Sequence, residues 1–247
     1  MTGFRLGYVP GVTPAKWARI WTERLPRVPL DLVQTAAADA PDLLRRSEVD
    51  AALLRLPIDR TGLHAIPLYV EQTVVVVPKD HVITAADEIT PDDLADELTL
   101  HPRDDVLDWE HPPGRLITDR PAATADAIQL VAMGTGLLVV PQSLARLHHR
   151  KDLTYRPITD VPQSQVALSW PETDPSELVE HFIGIVRGRT ANSTRGAAQP
   201  QQAKQAKQSS QSSQSRQSAA GSTPKKSQAS RKGTRKSTST PRKPRRR

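Results

Sequence analysis

The chain has 247 residues and no cysteine, which excludes disulfides, thiolate nucleophiles and cysteine metal sites. Its net charge of +7 is unevenly distributed. The segment 191–247 holds 15 Lys and Arg and no Asp or Glu, whereas residues 1–190 hold 19 basic and 27 acidic residues, a formal charge of −8. All Trp, Tyr and Phe also precede residue 191, so we treat an acidic body and a basic tail separately.

The first part of the body alternates predicted strands and helices. Alternating or continuous apolar residues predict strands at 4–9, 30–33 and 51–54. Apolar residues at helical spacing predict one helix at 15–25 and another that ends near Val49. Because short links join strand, helix and strand in turn, this pattern predicts a parallel sheet with right-handed crossovers.

The second part of the body continues the pattern. The segment 128–133 predicts the end of a helix that Gly134 and Gly136 terminate, because glycine adopts the left-handed conformation without steric cost. Leu137 to Val140 predicts a strand buried on both faces of a parallel sheet, and Pro141 suits the first turn of a further helix. The other predicted elements are strands at 64–69, 72–78, 98–100, 116–118, 153–158 and 165–170, a helix start at 90–94 and a helix at 176–186.

Two successive α/β units predict an α/β fold with two Rossmann-like lobes and a cleft between them. We assign residues 1–78 and 160–190 to lobe I, residues 79–159 to lobe II, and residues 191–247 to a disordered basic tail. Clefts of this kind bind small ligands at strand ends and helix N-termini, where free N–H groups attract anions.

Four segments resemble a known family in the family's order. They are LLRRSEVDAALLR (43–55), VVVPKDH (75–81), TPDDL (90–94) and QLVAMGTGLLVVP (129–141). Together they make residues 3–190 similar to the effector-binding domain of LysR-type transcriptional regulators, which implies a type 2 periplasmic-binding-protein-like fold. Ser47 stands where that family has a glycine. We find no counterpart of the family's winged helix-turn-helix and do not expect this chain itself to read operator DNA.

The resemblance implies a ligand site between the lobes. Its residues would be Gly11, Val12, Thr35, Arg55, Pro102, Arg103 and Asp104. Arg55 at a strand end could grip a carboxylate with two hydrogen bonds, so we predict a small carboxylate-bearing effector. Structural alternatives remain: a surface ion pair of Arg55 with Asp59 or Glu48, a helix cap for Thr35, and a solvated charge cluster around Arg103.

The residues indicate no catalytic or metal chemistry. The seven His residues are scattered, and no phosphate-binding loop or nucleophile elbow is present, so we expect no enzyme, metal or cofactor. The leading interpretation is a non-enzymatic effector-binding protein in transcription regulation; the alternative is a solute-binding protein of a transport system. With no signal peptide or membrane span recognised, we expect a cytoplasmic protein. Resemblance implies a homodimer or a DNA-binding partner.

The tail consists of Gln, Ser, Lys, Arg, Ala and Pro without an apolar period, a composition typical of disorder. Its basic density favours nonspecific binding to DNA or RNA phosphates, and the alternative is a solubilising extension or one that contacts the acidic body. The candidate nucleic-acid-binding residues are Lys225, Lys226, Arg231, Lys232, Arg235, Lys236, Arg242, Lys243, Arg245, Arg246 and Arg247.

Overall fold

A computed structural model describes residues 3–173 and 175–189. The predicted tail, with every basic residue proposed to contact nucleic acid, lies outside these residues. The described strands and helices are β1 (Phe4–Tyr8), α1 (Ala15–Arg24), β2 (Leu30–Gln34), α2 (Ala40–Arg45), β3 (Ala51–Leu56), β4 (Leu63–Glu71), β5 (Thr73–Pro78), β6 (Leu98–Leu100), β7 (Arg115–Leu116), α3 (Thr124–Ala132), β8 (Leu137–Pro141), α4 (Gln142–Leu147), β9 (Leu153–Pro157), β10 (Ser164–Pro171) and α5 (Glu177–Val186). Two short 3₁₀ turns, Val82–Ala85 and Pro91–Leu94, lie between β5 and β6.

The first lobe is a five-stranded sheet in the order β2-β1-β3-β10-β4. Strands β1, β2 and β3 are parallel, as the sequence predicts, with Phe4 opposite Leu30 and Leu6 opposite Ala51. Strand β10 returns late in the chain and runs antiparallel to both β3 and β4. The prediction that the region around 160–170 rejoins the first sheet is therefore confirmed.

The second lobe is a five-stranded sheet in the order β7-β6-β8-β5-β9. Strand β8 is parallel to β6 but antiparallel to β5, so the predicted all-parallel environment of residues 137–140 is wrong on one side. Pro141 ends strand β8 immediately before α4 instead of lying in the helix. The longest helices described, α1 and α5, have ten residues each, too short to cross a bilayer.

The predicted boundary of lobe I at residue 78 is wrong. Strand β5 belongs to the second sheet, where Val75 is opposite Val139 of β8 and Arg156 of β9. The chain thus crosses between the lobes at Gln72, before β5, and returns between β9 and β10. The physical reason is that neighbours on both edges and apolar layers on both faces enclose β5 inside the second sheet.

Each lobe has its own apolar core. In the first, Phe4 of β1 stacks on Trp21 of α1 with ring centroids 4.7 Å apart, and Phe182 of α5 packs against both rings. In the second, alternate valines of β5 enter different layers: Val74 and Val76 pack with α3, whereas the two valines at 75 and 77 pack on the opposite face. This two-sided burial explains the continuous apolar run of β5.

Two turns have backbone conformations that bear on the predictions. Gly134 has φ +73°, as expected for the residue that terminates α3. Ser47, where the resembling family has glycine, has φ 55°, a left-handed conformation in which a Cβ atom is strained. The N–H groups of Ser47 and Glu48 donate to the carbonyls of Leu44 and Leu43, so this residue terminates α2.

Candidate functional site

A cavity of about 530 Å³ lies between the lobes. Lobe I contributes the loop after β2 (residues 36–38), α2 and the end of β3 with residues 57–59, and lobe II contributes the loop after β6 (residues 103–108). We call this space the first interlobe cavity. Its walls come mainly from loops at strand ends, which is where open α/β sheets place their ligand sites.

The lining of the first interlobe cavity is rich in charge. It includes five aspartates and three arginines: Asp42, Asp59, Asp104, Asp105, Asp108, Arg45, Arg55 and Arg103. Arg45 is engaged by two of the acids, with NH1 2.8 Å from Asp42 Oδ1 and NH2 3.0 Å from Asp59 Oδ2. Arg103 and Asp108 are exposed and form no ion pair within the part of the chain that the structure describes.

Arg55 lies at the centre of a buried polar network that joins the lobes. Its NH1 donates to the Pro10 carbonyl at 2.7 Å, and its NH2 donates to Glu71 Oε2 and to Ser143 Oγ, each at 3.0 Å. The Ser143 hydroxyl also donates to Glu71 Oε2 at 3.0 Å. Because Arg55 lies near the end of β3 in lobe I and Ser143 belongs to α4 in lobe II, the network joins the two lobes.

The Arg55 and Glu71 side chains are only 3% and 8% exposed. The two surface ion pairs considered for Arg55 from the sequence, with Asp59 and with Glu48, are wrong. Asp59 pairs with Arg45 and Glu48 pairs with Arg46, whereas Arg55 forms a buried ion pair with Glu71. The guanidinium is already partly satisfied by protein groups, while its Nε–H has no hydrogen-bond partner among the described residues.

The lobe II loop that lines the cavity is held in place by side chains. Asp105 accepts hydrogen bonds from the Leu107 N–H at 3.0 Å and from Trp109 Nε1–H at 2.8 Å, and His101 Nε2 lies 3.1 Å away. Burial raises the pKa of the Asp105 carboxyl above its usual range, although these hydrogen bonds and His101 act in the opposite direction.

Two further contacts fix the same loop. Thr124, at the start of α3, donates its hydroxyl hydrogen to Asp104 Oδ1 at 2.9 Å. Arg120 donates to the carbonyls of His101 and Pro102 at 2.9 and 2.7 Å. These contacts hold the start of the loop 103–108 beside the cavity, as the supporting groups of a binding site do.

A second interlobe cavity, of about 720 Å³, lies beside the partners of Arg55. Pro10, Glu71 and Ser143 line it, together with Tyr8, Gly11, Val12, Thr13, Gln34, Tyr69, Val70, Gln72, Gln142, Arg146 and Leu147. Gly11 has φ +83°, and a Cβ atom there would lie 2.6 Å from Ser143 Oγ and 2.9 Å from Arg55 NH2. Only glycine therefore allows the loop after β1 to approach lobe II so closely.

The structure brings some predicted site residues together and separates others. Arg55, Arg103 and Asp104 line the first interlobe cavity, whereas Gly11 and Val12 line the second. The other two predicted residues, Thr35 and Pro102, line neither. The Thr35 hydroxyl makes only a long 3.5 Å contact with the Ala36 carbonyl, and Pro102 is buried.

Sequence reasoning missed Glu71, Ser143 and Asp108. Glu71 carried a signal, because it is a charged residue at the end of β4, two residues before the apolar strand β5. Ser143 is the second residue of α4 and is adjacent to no other charged or polar signal that marks a site, and Asp108 lies in a loop without periodicity. Glu71 and Ser143 lie 16 and 88 positions from Arg55 along the chain, and no local pattern in the sequence indicates contacts at such separations.

Comparison with known proteins agrees with this geometry. Residues 5–191 match the family model described as the LysR substrate binding domain. The chain belongs to this family. The resemblance inferred from the four sequence segments is thereby confirmed, and so is the two-lobed α/β fold.

Several solved structures share the fold. The BenM effector binding domain with its effector benzoate matches with a TM-score of 0.63 and 18% identity, over 76% of this chain and 91% of that one. The oxidised form of OxyR matches with a TM-score of 0.64 and 20% identity, over 76% of this chain and 96% of that one. At this level of identity the likeness concerns the fold.

Curated relatives of this LysR-family chain are named as regulators. A protein of Mycobacterium avium, "Probable hydrogen peroxide-inducible genes activator", is 33% identical over 153 residues, which are 57% of this chain and 49% of that protein. The Hca operon transcriptional activator HcaR of Escherichia coli is 25% identical over 204 residues, 76% of this chain and 68% of that protein. The chain spans about half the length of its mycobacterial relatives. These names do not favour the transport alternative.

Proposed function

We propose that the chain is the ligand-sensing part of a transcription regulator and binds a small carboxylate-bearing effector in the first interlobe cavity without catalysing a reaction. The supporting observation is the position of the cavity, because both lobes contribute charged side chains to it. A ligand that contacts both walls binds one arrangement of the lobes better than others, and this difference in affinity is what shifts a conformational equilibrium.

The Arg55 network is the element through which binding would reach the rest of the protein. Arg55 lines the cavity, and its partners are the loop after β1, the crossover residue Glu71, and Ser143 of lobe II. A ligand that competes for the guanidinium would weaken the bond to Ser143 and alter the contact between the lobes. Regulation then follows from the same two-state coupling that links distant sites in other proteins.

The ligand site can be tested by filling the cavity. Ala38 is exposed and lines the first interlobe cavity, so Ala38→Trp should block binding without burying new polar groups. Ala95→Trp is a matched control, because Ala95 is exposed and lines neither interlobe cavity. Small molecules that copurify with the chain should be identified by mass spectrometry and titrated by calorimetry; equal binding by the Ala38→Trp variant would place the site elsewhere.

We further infer that the domain pairs with a second copy or with a DNA-binding partner. Each sheet has an outer strand with an exposed leucine: Leu32 of β2 is 45% exposed and Leu116 of β7 is 46% exposed. Exposed edge strands with apolar side chains are typical association surfaces. Leu116→Lys should lower the sedimentation coefficient of a dimer, whereas Val82→Lys, at an exposed apolar residue in a 3₁₀ turn, should not. A wild-type chain that sediments as a monomer would contradict the self-pairing form of this proposal.

For the basic tail we propose nonspecific binding to nucleic-acid phosphates in the cytoplasm. The support is compositional: residues 191–247 carry 15 basic and no acidic side chains. Fluorescence anisotropy with a labelled duplex should detect binding by the full chain that weakens steeply with salt, and a chain ending at residue 190 should lose it. Equal binding by both chains would assign the interaction to the body instead.

A further inference from the structure

The first interlobe cavity has more negative than positive charge available to a ligand. Of the three arginines, Arg45 is shared by two aspartates and Arg55 is paired with Glu71. Asp108 has no ion-pair partner within the described ranges, and Asp104 accepts only the neutral hydroxyl of Thr124. Arg103 is thus the one cavity arginine not engaged by a carboxylate in the described part of the chain.

This excess of negative charge disfavours binding of a ligand that carries only a carboxylate. A monocarboxylate entering the cavity would lie near five aspartates, and two of them, Asp104 and Asp108, form no ion pair among the described residues. Like charges at close range repel, and solvent screens this repulsion only in part between groups within a few ångströms of each other. A ligand with a protonated amine would instead meet Asp104 and Asp108 with attraction and with hydrogen bonds that are charge-assisted.

A second observation calls for a hydrogen-bond acceptor at the same site. Arg55 lines the cavity, its side chain is 3% exposed, and its Nε–H has no partner within the described ranges. A buried donor without an acceptor is costly, and ligands commonly satisfy such groups. A carboxylate oxygen is a strong acceptor for a guanidinium N–H, and Arg103 supplies a second cation on the opposite lobe.

From these two observations we propose that the effector is a small zwitterion of the amino-acid type, with its carboxylate directed to the arginines and its protonated amine to Asp104 and Asp108. This inference rests on the proposed function and narrows it from carboxylates in general to carboxylates that also bear an amine. The two charges of the ligand thereby match the two kinds of unsatisfied group in the cavity.

The experiment is calorimetric titration of the full chain with matched sets of three compounds. Each set contains one standard amino acid, the corresponding acid without the amine, and the corresponding amine without the carboxylate. An amino acid should bind about tenfold more tightly than either partner compound, because each partner loses charge-assisted hydrogen bonds. Ala38→Trp should abolish this binding, which assigns the heat to the first interlobe cavity.

Replacing Asp108 measures how much the amine of the ligand contributes to the affinity. Asp108→Asn should weaken binding of the amino acid about tenfold and leave binding of the deaminated acid unchanged or stronger. Asp96→Asn is the control, because Asp96 is exposed in the same lobe and lines neither interlobe cavity. Since Asp108 is exposed and bonds no other side chain among the described residues, its replacement should leave the unfolding midpoint unchanged.

The outcomes of these titrations distinguish the zwitterionic effector from the more general proposal that the cavity binds an effector. If a deaminated acid binds as tightly as its amino acid and Asp108→Asn has no effect, the zwitterion is excluded while the effector-binding function stands. If no compound of any set binds, the zwitterion is likewise excluded, and the function is then judged by whether Ala38→Trp loses the small molecules that copurify with the wild-type chain.

Discussion

Breaking the ion pair between Arg55 and Glu71 from one side should destabilise the protein much more than replacing both partners together. The two side chains are 3% and 8% exposed, and Arg55 NH2 lies 3.0 Å from Glu71 Oε2. Arg55→Met leaves the Glu71 carboxylate buried with only the Ser143 hydroxyl as donor, and Glu71→Leu leaves the guanidinium without its counter-ion. Each single replacement therefore leaves a buried charge without its ion-pair partner.

The expected magnitudes follow from opposing electrostatic terms. At a separation of about 4 Å and an effective dielectric constant near 20, two unit charges attract by about 4 kcal/mol. Removing the two ions from water costs several kcal/mol each, so the pair itself contributes little net stability. We expect each single replacement to lower the free energy of unfolding by about 3–5 kcal/mol, and Arg55→Met/Glu71→Leu to lower it by less than either single replacement.

Urea unfolding followed by tryptophan fluorescence measures all four members of this cycle, with midpoint and slope fitted separately. Arg46→Met and Glu48→Leu form the control cycle, because that ion pair is shorter, at 2.6 Å, but its side chains are 56% and 52% exposed. These control variants should leave the midpoint almost unchanged. The reasoning is refuted if either single variant costs less than about 1 kcal/mol, or if the double variant costs the sum of the singles.

Three other replacements test local features. Ser47→Gly should raise the free energy of unfolding by about 0.5–1 kcal/mol, because it relieves a left-handed φ of 55°; an unchanged urea midpoint would contradict this. Gly11→Ala should lower it by more than about 2 kcal/mol, since the added Cβ would also clash with Ser143 Oγ at 2.6 Å, and full stability would disprove that close approach. Because the pKa of Asp105 is raised by burial, the wild type should lose stability relative to Asp105→Asn as pH rises from the ordinary value of 3.8 through the raised pKa. Urea titrations across this range that show a constant difference would refute the last expectation.

The elements of the fold were largely predictable from local patterns. Strand β3 is a continuous apolar run in the sequence and is buried in the structure, and the helical spacing of residues 176–186 corresponds to α5 with Ser176 as its cap. Such patterns are local consequences of burial. The assignment of β5 to a lobe was not predictable in this way, because four consecutive valines indicate burial on both faces without indicating which strands are the neighbours.

The lining of the first interlobe cavity was predictable only in part. Arg55 was singled out because it lies at the end of a buried strand, and Arg103 and Asp104 were singled out through the order of resembling segments. Their partners were not found, since Ser143 reaches Arg55 only after the two sheets pack against each other. The division of the interlobe space into two cavities has the same origin, because it depends on how closely the loop after β1 approaches α4.

If the first interlobe cavity binds the effector, as we propose, ligand choice and communication between the lobes reside in different residues. Under that proposal, exposed loop residues such as Asp108, which forms no ion pair within the described chain, set the charge that a ligand meets. The buried network of Arg55, Glu71 and Ser143 determines how the lobes contact each other, and replacing its members changes stability as well. Because the two sets share only the cavity wall at Arg55, substitutions in the loop should change effector selectivity while the interlobe network, and with it the response to a bound effector, stays intact.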